Sequence, residues 1–135
     1  MKSVILKIGL FAAGCVTGVL STQMLHAQSG IQRNLLQRID VPQNAAYEAL
    51  MATAEIPAGS TAGRHTHPGT EMSYVLSGEV SLEVSGQTPR TLKAGDSFIV
   101  PTGSAHDARV IGTSAAKVLA VYVVEKGKPL STAAP

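Results

Sequence analysis

The segment Glu79-Val80-Ser81-Leu82-Glu83-Val84-Ser85 alternates polar and apolar residues with a period of two. That period belongs to a β-strand with one buried face, so Val80, Leu82 and Val84 face a core while Glu79 and Glu83 face water. Short runs of similar character occupy Leu35–Val41, Ala46–Ile56, Glu71–Leu76, Arg90–Lys93, Ser97–Val100, Ala105–Ile111 and Lys117–Val124. Turn signals separate them: Pro57-Ala58-Gly59, Pro68-Gly69, Ser77-Gly78, Ser85-Gly86, Ala94-Gly95-Asp96 and Thr102-Gly103. Beyond the N-terminal leader no segment shows an apolar period of 3.6. Eight short strands in about 90 residues predict an all-β protein, a single small jelly-roll β-barrel. Gly59, Gly78, Gly95 and Gly103 read as architecture, placed where turns demand positive φ or close approach of chain. Pro101 ends a strand and sets the path toward His106.

Residues 1–27 read as a secretory signal peptide. Lys2 and Lys7 give a positive start, and Ile8 to Leu20 is an apolar run of signal length. Ala27 suits the small-residue position before a cut, although Leu25 is larger than usual there. Cleavage after Ala27 would place the product in a bacterial periplasm or outside the cell, with no stable membrane association. Two alternatives stand beside it: an uncleaved anchor, for which the run is short, and lipidation at Cys15, suggested by Ala12-Ala13-Gly14-Cys15. Residues 28–34 are polar and read as a flexible N-terminus, residues 35–126 as the barrel, and the Pro/Ala/Ser-rich residues 127–135 as a flexible tail.

Loss of the leader changes the composition in two useful ways. Cys15 is the chain's one cysteine, so the mature protein has no thiol for a disulfide or a sulfur-bound metal. Lys2 and Lys7 also go, leaving nine basic residues against nine acidic ones. The chain then shows no basic stripe of the kind a nucleic acid requires.

Of the four histidines, His26 lies in the leader. The other three are His65, His67 and His106. Residues two apart on a strand share a face, so the imidazoles of His65 and His67 can reach one ion. Alone, such a pair is ordinarily two surface histidines. Glu71 alters that reading, because Pro68-Gly69-Thr70 can fold the next strand back past the pair. His106 opens a later strand facing the same interior. Three neutral nitrogens and one carboxylate make a donor set suited to a divalent first-row metal.

The same residues carry a resemblance to the cupins. Their first motif is G-x5-H-x-H-x3,4-E-x6-G; here Gly59, His65, His67, Glu71 and Gly78 stand at those spacings. The second is G-x5-P-x-G-x2-H-x3-N; Gly95, Pro101, Gly103 and His106 match, while Val110 replaces the final Asn. That Asn is not a ligand in the pattern. The resemblance spans roughly Leu35 to Lys126. It implies a jelly-roll barrel, a divalent transition metal (Fe, Mn or Ni, with Zn or Cu as further options) on His65, His67, Glu71 and His106, and a homodimer.

Strand parity puts Ser73 and Val75 on the face of Glu71, and sends Met72, Tyr74 and Leu76 toward a second layer or a partner subunit. Phe98 and Val100 share a face and can line a pocket; Tyr122 is a polar candidate near the site. Arg64 and Arg109 have the wrong parity to face the metal. No histidine remains as a free acid or base, so Glu71 is the one candidate proton shuttle and the ion must carry most of any chemistry. The resemblance suggests a metal-dependent enzyme acting on a small organic substrate, dioxygenase-like or an isomerase or lyase. The alternative is a non-catalytic protein that binds metal or a small ligand, since fold does not fix function.

Overall fold

The computed structural model describes residues 30–135. The leader read at residues 1–27 lies outside the described residues. The described chain is all β: β1 (Gln32–Asp40), β2 (Tyr47–Ile56), β3 (His65–Thr66), β4 (Gly69–Ser77), β5 (Glu79–Val84), β6 (Arg90–Lys93), β7 (Ser97–Val100), β8 (His106–Val110), β9 (Ala116–Glu125) and β10 (Thr132–Ala133). They form two antiparallel five-stranded sheets, β1-β2-β9-β4-β7 and β10-β3-β8-β5-β6. The architecture is the jelly roll that the alternating pattern predicts.

Alternation sets the core. Along β9 every second residue from Ala116 to Val124 is buried, and β5 buries Val80, Leu82 and Val84. Val75, Val80, Val100 and Val124 are the largest fully buried side chains. β-Branched valine suits a pleated, half-buried surface. Burying such a side chain contributes about 1.5–3 kcal/mol. Gly78 shows why one turn cannot carry a side chain. Its φ is +80°, and a Cβ there would meet the Cα of Ala116 at 2.6 Å.

The ends of the barrel depart from the sequence reading. Of the expected flexible N-terminus at 28–34, residues 28–29 lie outside the described residues, and the rest contains Ile31, buried in the same core cluster as Ile56 and Ala62, and the start of β1. The expected flexible tail at 127–135 instead contains β10, which pairs with β3 (Thr132 with Thr66, Ala133 with His65). The Ala134 N–H also bonds the Arg64 carbonyl at 3.0 Å. Both departures have one physical cause. β1 is an exposed edge strand that opens on the polar Gln32, Arg33 and Asn34, and β10 has two residues, so neither the start of β1 nor β10 carries an alternating apolar signature. A register shift between Leu35 and Gln37 further breaks the pattern of β1.

Candidate metal centre

The sheets bring four distant sequence positions to one buried spot. His65 on β3 lies directly opposite His106 at the start of β8. His67 follows one residue after β3. Glu71 on β4 stands in a cross-sheet row with Leu50, Tyr122 and Val100. All four side chains are buried, none more than 6% exposed. Ring centroids are 4.2 Å apart for His65 and His106, 4.8 Å for His65 and His67, and 5.1 Å for His67 and His106. One nitrogen from each ring lies within 4.8 Å of the others, which makes the three histidines a group able to hold a metal ion.

The tautomers follow from the hydrogen bonds. His65 Nδ1 meets the Gly63 carbonyl at 2.6 Å, His67 Nδ1 the Leu130 carbonyl at 2.6 Å, and His106 Nδ1 the Ser104 carbonyl at 3.1 Å. A carbonyl only accepts, so each Nδ1 must be the N–H donor. Each Nε2 then presents a lone pair, which is the ligating arrangement when a backbone carbonyl fixes the ring. The Glu71 carboxylate completes the set: its Oε2 lies 2.9 Å from His67 Nε2 and 3.3 Å from His106 Nε2. The Ser73 hydroxyl donates to its other oxygen at 2.5 Å.

Those two short approaches set lone pairs against a carboxylate, and His67 Nε2 has no hydrogen-bond partner. Such a buried arrangement calls for positive charge at its centre. A proton could serve one ring, whereas one divalent ion would serve three nitrogens and a carboxylate together. The donor set therefore fits a metal. Electrostatics agree. Burial dominates at His65 and, with the neighbouring His106 and His67, pushes it down to about 4, so the ring is neutral near pH 7. Burial alone would raise Glu71. An N–H or a positive charge at the facing nitrogens of His106 and His67, with the Ser73 hydroxyl, outweighs it and holds the carboxyl well below the usual range, which is again a demand for positive charge at this point.

A cavity of about 40 Å³ adjoins these groups, lined by His65, Glu71, His106, Tyr122, Phe98 and Arg33 among others. Ala54, Ala62, Ala108 and Ala120 also line it, and their small side chains keep it open. Tyr122 packs edge-on against His67 at 4.8 Å between centroids. Its phenol is pushed up by burial and by the Glu71 charge, so it remains a neutral hydroxyl.

Other residues sort as parity dictates. Ser73, Val75, Phe98 and Val100 are buried; Met72, Tyr74 and Leu76 are exposed on the outer face rather than against the second layer. Arg64 turns away to the Ser85 hydroxyl at 2.6 Å, and Arg109 is exposed. Two participants had no sequence signal. The Leu130 carbonyl holds His67 from 63 residues away, and Arg33 reaches the cavity from the edge strand.

Fold and site together define a class: a jelly-roll barrel with a buried three-histidine group at its interior. The family model of the Cupin domain matches residues 52–122, and the chain belongs to the cupin family. Among individual proteins, it is 37% identical over 54 residues to dimethylsulfoniopropionate lyase DddQ of Ruegeria pomeroyi, covering 40% of this chain and 27% of that one. The crystal structure of that lyase superposes with a TM-score of 0.57 at 25% identity, over 63% of this chain and 42% of the other. This chain thus corresponds to less than half of the lyase. A cupin of Shewanella frigidimarina described as RmlC-like (22% identity, 76% and 83% coverage, TM-score 0.59) shares the fold. So does a conserved double-stranded β-helix protein of Klebsiella pneumoniae (20% identity, 82% and 90% coverage, TM-score 0.63).

Proposed function

We propose that this chain is an exported, metal-dependent cupin enzyme that acts on a small organic substrate inside the barrel. The observation that carries this reading is the convergence of three Nε2 lone pairs and one carboxylate, with every Nδ1 already spent on a backbone carbonyl. His65, His67, Glu71 and His106 would hold the ion, with Fe, Mn or Ni the favoured metals for a mixed nitrogen–oxygen set and Zn or Cu the alternatives. Bound there, a divalent ion supplies Lewis acidity toward a substrate carboxyl or carbonyl oxygen.

The protein's own groups do the rest. Glu71, braced by Ser73, is the carboxylate at the cavity wall that could accept or return a proton once it swings off the ion. Tyr122 keeps its proton and can donate a hydrogen bond to a developing anion. Likeness to a lyase favours proton abstraction with elimination; isomerisation and dioxygenase-like chemistry use the same apparatus. The signal pattern of residues 1–27 supports export to the periplasm or outside the cell, and the apolar outer sheet face supports a homodimer.

The whole chain should be expressed with its leader and recovered from the periplasm without added metal. We expect a product beginning at Gln28 with near-stoichiometric divalent metal by elemental analysis. His65→Ala and His106→Ala should each lose it. Turnover is screened as elimination from β-substituted carboxylates and as O₂ uptake with phenols and 1,3-dicarbonyls. Full metal content in both variants would show the ligand set to be wrong. A metal-replete protein with tight ligand binding but no turnover in any screen would instead be a non-catalytic binding protein.

A further inference from the structure

β1 turns two arginines onto the inner side of the sheet, and only one of them is neutralised. Residues directly opposed in an antiparallel pair share a face. Arg38 lies opposite Leu50 and Arg33 opposite Ala54, and both partners belong to inward-facing rows. Arg38 has an anion: its Nε lies 3.6 Å from the buried Glu48 carboxylate. Arg33 has none. Its sole side-chain bond among the described residues is a long one, 3.5 Å from the guanidinium to the Ala62 carbonyl. No Asp or Glu precedes Asp40 in the chain, so the leader cannot supply one either.

Arg33 nonetheless is half-buried and lines the same cavity as His65, Glu71, His106 and Tyr122. A guanidinium has five N–H donors and cannot shed its proton, so one held half-buried without an anion has unused bonding capacity. Its planar fork matches a carboxylate better than any neutral group.

We propose that Arg33 is a substrate-anchoring residue that binds the carboxylate of a small organic acid whose other end reaches the histidine group. This rests on the metal-enzyme reading above and narrows its substrate to anions with two polar ends. The site is thus two-pointed. The histidines and Glu71 take one end of the ligand, and the edge strand offers a cation to the other. Ala54, Ala62, Ala108 and Ala120 line the cavity that both ends share.

The test compares succinate with succinamate, equal in size and differing by one charge, titrated calorimetrically into zinc-loaded protein. Wild type should prefer succinate by about tenfold or more, within the range for a charge-assisted bond. Arg33→Gln should abolish that preference while leaving zinc content and melting temperature unchanged, and Arg33→Lys should restore part of it. A preference that survives in Arg33→Gln, or its absence in the wild type, overturns the assignment. Zinc content measured on the same samples separates the two levels. Wild-type protein that binds no metal sinks the underlying reading, whereas metal-replete protein indifferent to the distal charge sinks only the role of Arg33.

Discussion

A histidine ring becomes a predictable ligand when its second nitrogen is committed elsewhere, and here three backbone carbonyls make that commitment. The same burial that keeps the rings neutral has a measurable cost in acid. His65 is lowered from 6.5 to about 4 chiefly by burial. Between those values the unfolded chain binds a proton that the native chain refuses, so native stability falls as pH falls through that window. The loss at His65 reaches on the order of 3 kcal/mol, accumulating at about 1.4 kcal/mol for each pH unit crossed. Glu71, held low in the native state, adds to the loss at still lower pH. Urea denaturation of metal-free protein from pH 7 to pH 4 should show this decline, and His65→Gln should flatten its upper part. A stability independent of pH across that window in the unsubstituted protein would refute the burial argument. The four convergent positions were legible in the sequence because strand parity and a turn fix their spacing. Arg33 was not, because its place depends on which partner an exposed edge strand chooses and on a register shift within it.

At the scale of the strand, the tail and β3 hold each other in place. β3 is two residues long and carries His65; β10 is also two residues long and pairs directly across it. Just before β10, Leu130 gives its carbonyl to His67 Nδ1 and packs against the cluster of Leu50, Ala52, Ala120, Tyr122 and Val124. The C-terminal segment therefore orients two of the three histidines without contributing a ligand. Deleting residues 129–135 should weaken metal binding about 10–100-fold, the usual effect of losing a partner of the ligating ring. Competition against a chelator measures that loss. Circular dichroism should still report the β fold, since β2, β4 and β9 pair independently of the tail. Undiminished affinity in the truncated protein would show the contact to be incidental. Eight of the ten strands could be read from alternation and turn residues. β3 and β10 could not, because two residues cannot display a period, and their pairing exists only once the barrel has closed.

At the scale of the whole molecule, the outer face of the first sheet is apolar where a lone barrel would be expected to be polar. Met51, Val121, Met72 and Ile99 form one cross-strand row, and Thr53, Leu119, Tyr74 and Ser97 the next; neither contains a charge. Ile99 is 60% exposed, and Met72 and Tyr74 nearly half. Soluble monomers rarely expose a continuous apolar patch beyond a few hundred Å². A stable dimer needs about 800 Å² from each partner, which a face four strands wide can supply. We propose a second copy of this chain as the occupant, because a two-fold axis would match one uncharged patch to itself and require no complementary charge elsewhere. Light scattering of the purified barrel should give twice the chain mass. Ile99→Glu combined with Met72→Glu should return the monomer, by placing unpaired carboxylates in the buried centre of the contact. The metal centre lies on the opposite side of the same sheet, so the variant should keep its metal while losing its partner. A wild-type protein that is monomeric at micromolar concentration would leave this face to a different partner and remove the homodimer from the account.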